Sequence, residues 1–132
     1  MQQLIQTYSA PIGRVLLALI FVTSGLSKIA EYGATAGWME SMGVPGALLP
    51  LVILLEVLGG LAVMLGWQTR IAAFLLAGFT LLSALLFHSD FSSQAEMTNF
   101  MKNFSIAGGF LILLATGPGP FALDTRKNTS AN

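Results

Sequence analysis

The stretch ALLPLVILLEVLGGLAVMLGW, Ala47 to Trp67, decides the fold. Between Leu51 and Leu65 its one polar side chain is Glu56. A helix rising 1.5 Å per residue needs about 20 residues to cross a hydrocarbon core ~30 Å thick, and this stretch has that length. Lipid offers the backbone no hydrogen-bond partners, so a spanning segment of this kind has to be helical. Three further apolar segments of similar length flank it, at about 10–29, 70–87 and 94–116. The sequence therefore predicts an all-α integral membrane protein, a bundle of four transmembrane helices over residues 1–123 followed by a polar tail over 124–132.

Composition supports that expectation. Of 132 residues, 55% are hydrophobic and 9% charged, against about 25% charged in an ordinary soluble domain. Net charge is zero, and with no run of Lys or Arg to track a phosphate backbone, nucleic acid is excluded as a partner. Cysteine is absent, which removes disulfides, thiol redox chemistry and thiolate metal sites from this chain. No basic region precedes the first apolar segment, so that segment reads as a retained span rather than a cleaved signal.

The boundaries carry their own chemistry. Ser93-Gln-Ala-Glu96 reads as a capping box, which starts the fourth helix near Gln94. Thr69 is placed to cap the third. Gly117-Pro118-Gly119-Pro120 cannot continue a helix. Tyr32 and Trp38, in the segment 31–46, suit a short helix lying in the headgroup region. Gly59-Gly60 and Gly108-Gly109 suggest close approach between helices. Four crossings put both termini on one side, together with Arg14, Arg70, Arg126 and Lys127, and leave Lys28 and Lys102 on the other. That bias predicts cytoplasmic termini.

Glu56 is the most informative candidate residue. A charge at the centre of a span costs roughly 2.5–3.5 kcal/mol on insertion scales, so it calls for a partner, a proton or water. It marks either a ligand or proton site or a buried pair that fixes packing. Arg14, Ala18, Phe21, Gly25 and Lys28 recur at helical spacing and form one stripe. Arg14 is expected to reach toward Glu56 or to snorkel, and Lys28 to snorkel at the far interface. His88 ends the third helix at about the height of Lys102 and Asn103. One histidine cannot build a zinc or bis-His haem site, so no metal is expected. Arg14, Lys28, Glu56, His88, Lys102 and Asn103 together make a polar interior with more cations than acids. A ligand with carbonyl or anionic oxygens, such as a quinone headgroup, would complete it; water and lipid phosphate meet the same count. No phosphate-binding loop, zinc-protease motif or nucleophile elbow appears.

These residues resemble the DoxX family of small bacterial inner-membrane proteins, in its single-domain enterobacterial form. The likeness is carried by Arg14 with Gly25-Leu-Ser-Lys28, Met42-Gly-Val-Pro-Gly46, Leu55-Glu56-x-x-Gly59-Gly60, and Gly66-x-x-Thr69-Arg70. Phe87-His88 and Lys102-Asn103 leading to Gly108-Gly109 complete it. The resemblance implies a four-helix membrane domain in the bacterial inner membrane. Its relatives include a membrane subunit of an archaeal thiosulfate:quinone oxidoreductase and proteins linked to oxidative-stress complexes. The expectation is a redox-linked subunit binding a quinone-type headgroup. The alternatives are a non-enzymatic assembly subunit, with a partner protein or a second copy, and a small carrier. No inverted repeat supports the last.

Overall fold

The computed structural model describes residues 1–125. Helix α1 runs Gln2–Ala30, α2 Tyr32–Ser41, α3 Leu49–Leu65, α4 Thr69–Phe87 and α5 Gln94–Thr116; a single 3₁₀ turn, Gly46–Leu48, leads into α3. There is no strand among the described residues. The protein is an all-α membrane protein. Among the described residues, three stretches are long and apolar enough to cross a bilayer: Gln2–Ala30, Gly46–Leu65 and Thr69–Phe87. Helix α5 has the length, at 23 residues, but Glu96, Asn99, Lys102 and Asn103 dilute its first half.

The long helices form two tight pairs, α1 with α3 and α4 with α5, joined through α3 and α4. Large apolar side chains point outward: Leu51, Leu58, Ile71, Phe74 and Ile112 are each at least 60% exposed. The interior is instead rich in small residues, among them Ala18, Ala62, Ala72, Ala73, Ala77, Ala84 and Ala107, around Phe21, Val63, Leu76 and Phe110. That inversion belongs to lipid, where burying leucine between helices gains nothing and close backbone approach gains packing. The closest approach joins α1 to α3. A Cβ on Gly60 would meet Val22 Cγ2 at 2.8 Å and the Ala18 carbonyl at 3.3 Å; one on Gly25 would meet Val57 Cγ2 at 2.5 Å. Gly108 departs from the expectation: it has open space around it, and only its neighbour Gly109 faces α1, at Leu17.

Charged groups close the end of the molecule where α3 meets α4. Helix α3 stops at Gly66, whose φ of 70° is left-handed. Arg14 reaches the exposed carbonyls there, with Nη1 donating to Val63 O (3.2 Å) and Met64 O (3.0 Å). Its Nη2 donates to Pro120 O (3.1 Å) and Phe121 O (3.0 Å), pinning the segment after α5. Arg70 Nε donates to Leu114 O (3.1 Å) in the last turn of α5. Cations at helix C-termini meet the negative end of the backbone dipole.

The cap of α4 corrects the sequence reading. Thr69 is the first residue of that helix rather than its cap, and its buried hydroxyl has no hydrogen-bond partner among the described residues. The caps come from Asp124, whose carboxylate accepts from the N–H groups of Gln68 (2.8 Å) and Thr69 (2.9 Å). Asp124 N–H in turn donates to Gly66 O (2.9 Å). The first residues of the expected loose tail are thus part of the fold; Arg126 and Lys127 lie outside the described residues.

Candidate functional site

At the opposite end, where α1 passes into α2, the helices line a half-open cavity of about 210 Å³. It is built from all five helices. Phe21, Phe79 and Phe87 give it apolar walls; Ser24, Thr80 and Ser83 add hydroxyls; Thr35, Trp38 and Met39 of α2 roof it. The roof is held by Trp38 stacking on Phe87, with centroids 4.7 Å apart and planes at 27°. Helix α2 is the short segment expected at the interface, and its Trp38 packs on α4 as well as facing outward.

Five of the six candidate residues line this cavity: Lys28, Glu56, His88, Lys102 and Asn103. Arg14 does not. The expected approach of Arg14 to Glu56 is replaced by Lys28, whose Nζ lies 2.8 Å from Glu56 Oε1. The reason is height. Taking the α1–α2 end as level, Lys28 lies about 3 Å below it, Glu56 about 10 Å and Arg14 about 24 Å. Lys28 therefore bends inward to the acid instead of snorkelling out, and Arg14 finds the backbone carbonyls at the far end. Arg14 does share the buried stripe of α1 with Ala18, Phe21 and Gly25, which sends its side chain into the interior.

Each remaining polar group has a defined setting. Glu56 is buried, its side chain 3% exposed, and Oε2 has no partner among the described residues. Asn103 is buried in α5, with Nδ2 donating to Thr80 O (3.3 Å) across the α4–α5 interface. The Thr80 hydroxyl donates to Leu76 O (2.6 Å), one turn back in its own helix. Lys102 is exposed at the cavity wall. His88 Nδ1 lies 3.0 Å from Glu96 Oε2, bridging the α4–α5 loop. Ser93 is the N-cap of α5, accepting from Glu96 N–H (3.4 Å). Glu96 does not reach back to complete the box, because its carboxylate is turned to His88. In that loop, outside the spanning segments, Ser92 donates its hydroxyl (2.6 Å) and its N–H (3.2 Å) to Asp90 and holds that carboxyl below its usual range.

Sequence reasoning missed the hydroxyls, the phenylalanine walls and the role of α2. Ser24 could have been found, one turn before Lys28 on the same face of α1. Among the described residues, no three His, Asp or Glu side chains gather in a group that could hold a metal ion.

A family model described as DoxX matches residues 10–89, more than half the chain and the part that supplies α1, α2, α3 and α4. The chain belongs to the DoxX family. It is 51% identical to the inner membrane protein YqjF of Escherichia coli over 89% of this chain and 90% of that one. To the inner membrane protein YphA of the same organism it is 38% identical, over 87% of each. The Bacillus subtilis protein named "Putative oxidoreductase CatD" is 32% identical over 84% of this chain and 81% of its own length. No solved structure matches. Its apolar helices and its E. coli relatives make this DoxX protein an integral protein of the inner membrane.

Proposed function

We propose that this DoxX protein is a redox-linked membrane subunit that holds a quinone-type headgroup in the cavity under α2. The observation that carries the reading is Glu56: a buried carboxylate with one oxygen paired to Lys28 and the other without a partner among the described residues, at the wall of an aromatic-lined space. Buried polar groups are as a rule hydrogen-bonded, and an intramembrane acid without full pairing marks a site for something else. Lys28 and Lys102 offer donors to ligand oxygens, and the phenylalanines offer faces to a ring. The relative named as an oxidoreductase favours redox chemistry. With no cysteine in the chain, electrons would pass through a partner subunit.

In this reading α5 is the fourth crossing, its polar half turned to the cavity and to α4, and both termini face the cytoplasm. The cysteine-free sequence makes that directly testable. Single cysteines at Gln2 and Leu123 should label from one side of the membrane and one at Phe91 from the other, in inverted and right-side-out vesicles; Leu123 labelling together with Phe91 would remove the fourth crossing.

The binding test is native mass spectrometry with lipid and quinone extraction on gently solubilised protein. A stoichiometric quinone in wild type, lost in Glu56→Gln, is expected. Ordinary phospholipid alone, or quinone retained by the variant, would overturn the site. A second reading, a non-enzymatic assembly subunit, is favoured by one fact: the Lys28–Glu56 pair ties α1 to α3 much as Arg14 ties them at the other end. Co-purification of another subunit with no quinone would support it.

A further inference from the structure

Three residues that line the cavity are also exposed on the outside of the molecule: Ile20 of α1, Trp38 of α2 and Lys102 of α5. They mark where the half-open space meets its surroundings, at a gap bounded by α1, α5 and the roof. Below the gap α1 and α5 touch. Phe21 meets Phe110 edge-on, with centroids 5.4 Å apart, and a Cβ on Gly109 would meet Leu17 Cδ1 at 3.2 Å. Nearer α2, no hydrogen bond, ion pair or ring contact joins these two helices among the described residues. The gap is left between Ile20 and Ser24 on one side and Lys102 and Ile106 on the other.

Depth says what the gap faces. Ile20 lies about 15 Å below the end of α1, which is about half of a hydrocarbon core ~30 Å thick. Most of the opening therefore looks onto acyl chains, over an apolar edge made by Ile20 and Ile106. A second approach exists nearer the headgroups, a polar groove between α1 and α2 lined by Ser27 and Glu31, which meets the cavity at Ser24, Lys28 and Thr35. Hydroxyls and charges there suit water and small polar solutes, and an apolar chain gains nothing beside them.

We infer that the cavity is filled sideways from the bilayer through the α1–α5 gap, by a quinone whose apolar chain stays in the gap against Ile20 and Ile106. This rests on the quinone reading above and adds to it the ligand's class, a chain-bearing membrane lipid, and its route. Lipid is as apolar as the gap, so the chain gains little affinity by resting there. Its effect is to hold the ligand in the membrane, at the depth where the gap opens.

The test uses the full chain in lipid nanodiscs and two photoreactive forms of a decyl-substituted benzoquinone. One carries an azide on the ring, the other a diazirine near the start of the chain. Labelling that excess unmodified decyl quinone suppresses is mapped by peptide mass spectrometry. The ring probe should mark the cavity wall around Lys28 and Glu56, and the chain probe Ile20, Ile106 or their neighbours. Ring label in the cavity with chain label at Ser27, Glu31 or anywhere else overturns the route and leaves the quinone site intact. Absence of suppressible ring label in the cavity overturns both. A pair of variants checks the gap independently. Ile20→Trp, which fills it, should weaken binding of the decyl quinone at least tenfold. Leu19→Trp, at an exposed position that does not line the cavity, should leave it unchanged. Equal binding by the two variants overturns the gap as the entrance, and the photolabelling stands even if Ile20→Trp fails to fold.

Discussion

The two ends of the molecule use buried charge in opposite ways. At the α3–α4 turn, Arg14 donates to four carbonyls, Arg70 to a fifth, and Asp124 accepts from two backbone N–H groups. Those charges are spent on backbone groups that helix ends leave unpaired. At the α2 end the charges meet side chains around a cavity. Among the described residues, buried atoms without a partner occur at both ends, Glu56 Oε2 at this one and Arg14 Nε and the Thr69 hydroxyl at the other, so the cavity is what sets the ends apart. Charge spent on the backbone of helix ends specifies structure; charge gathered around a void specifies a ligand.

That contrast is broken most forcefully at Arg14. Arg14→Ala removes the shared donor to Val63 O, Met64 O, Pro120 O and Phe121 O, and should cost about 3 kcal/mol or more. Thermal unfolding in detergent should show a large loss; a fall of only a degree or two would mean the clamp is idle. Gly60→Ala comes next, since its Cβ would sit 2.8 Å from Val22 Cγ2. Overpacking of this kind costs about 1–3 kcal/mol, and crosslinking between cysteines placed on α1 and α3 should show the pair spread apart. Asp124→Ala removes the cap of α4 for about 1 kcal/mol, read as faster hydrogen exchange at Gln68 and Thr69. Lys102→Ala should have the smallest effect on stability, within about 0.5 kcal/mol as for an exposed site, yet lower ligand occupancy. A variant that loses stability and keeps its ligand would place Lys102 with the structural charges.

Much of this was readable in the residues. The buried stripe of α1 follows from its helical period, and the start of α5 from Ser93, because both are local in sequence. Glu56 stood out since nothing else polar lies near it in α3. What could not be read locally was pairing across helices. Arg14 and Lys28 share one stripe, and the choice between them for Glu56 depends on where α2 sets the levels of α1 and α3. Asp124 was read as tail because its partners, Gln68 and Thr69, lie far back in the chain. The cavity itself is a space between five elements, with no signature in any one of them. Arg14 illustrates the limit: its direction followed from the sequence, and its partners did not.

The most direct measurement replaces Lys28 and Glu56 together, with Met and Leu, and follows thermal unfolding and bound quinone in the same samples. Exchanging a buried ion pair for apolar groups of similar size is often neutral or stabilising when the pair is not needed for the fold. If the pair belongs to a binding site, the double variant should unfold at or above the wild-type temperature and carry no quinone. A sharp loss of stability with quinone still bound would contradict it, and would make the two ends of the molecule alike.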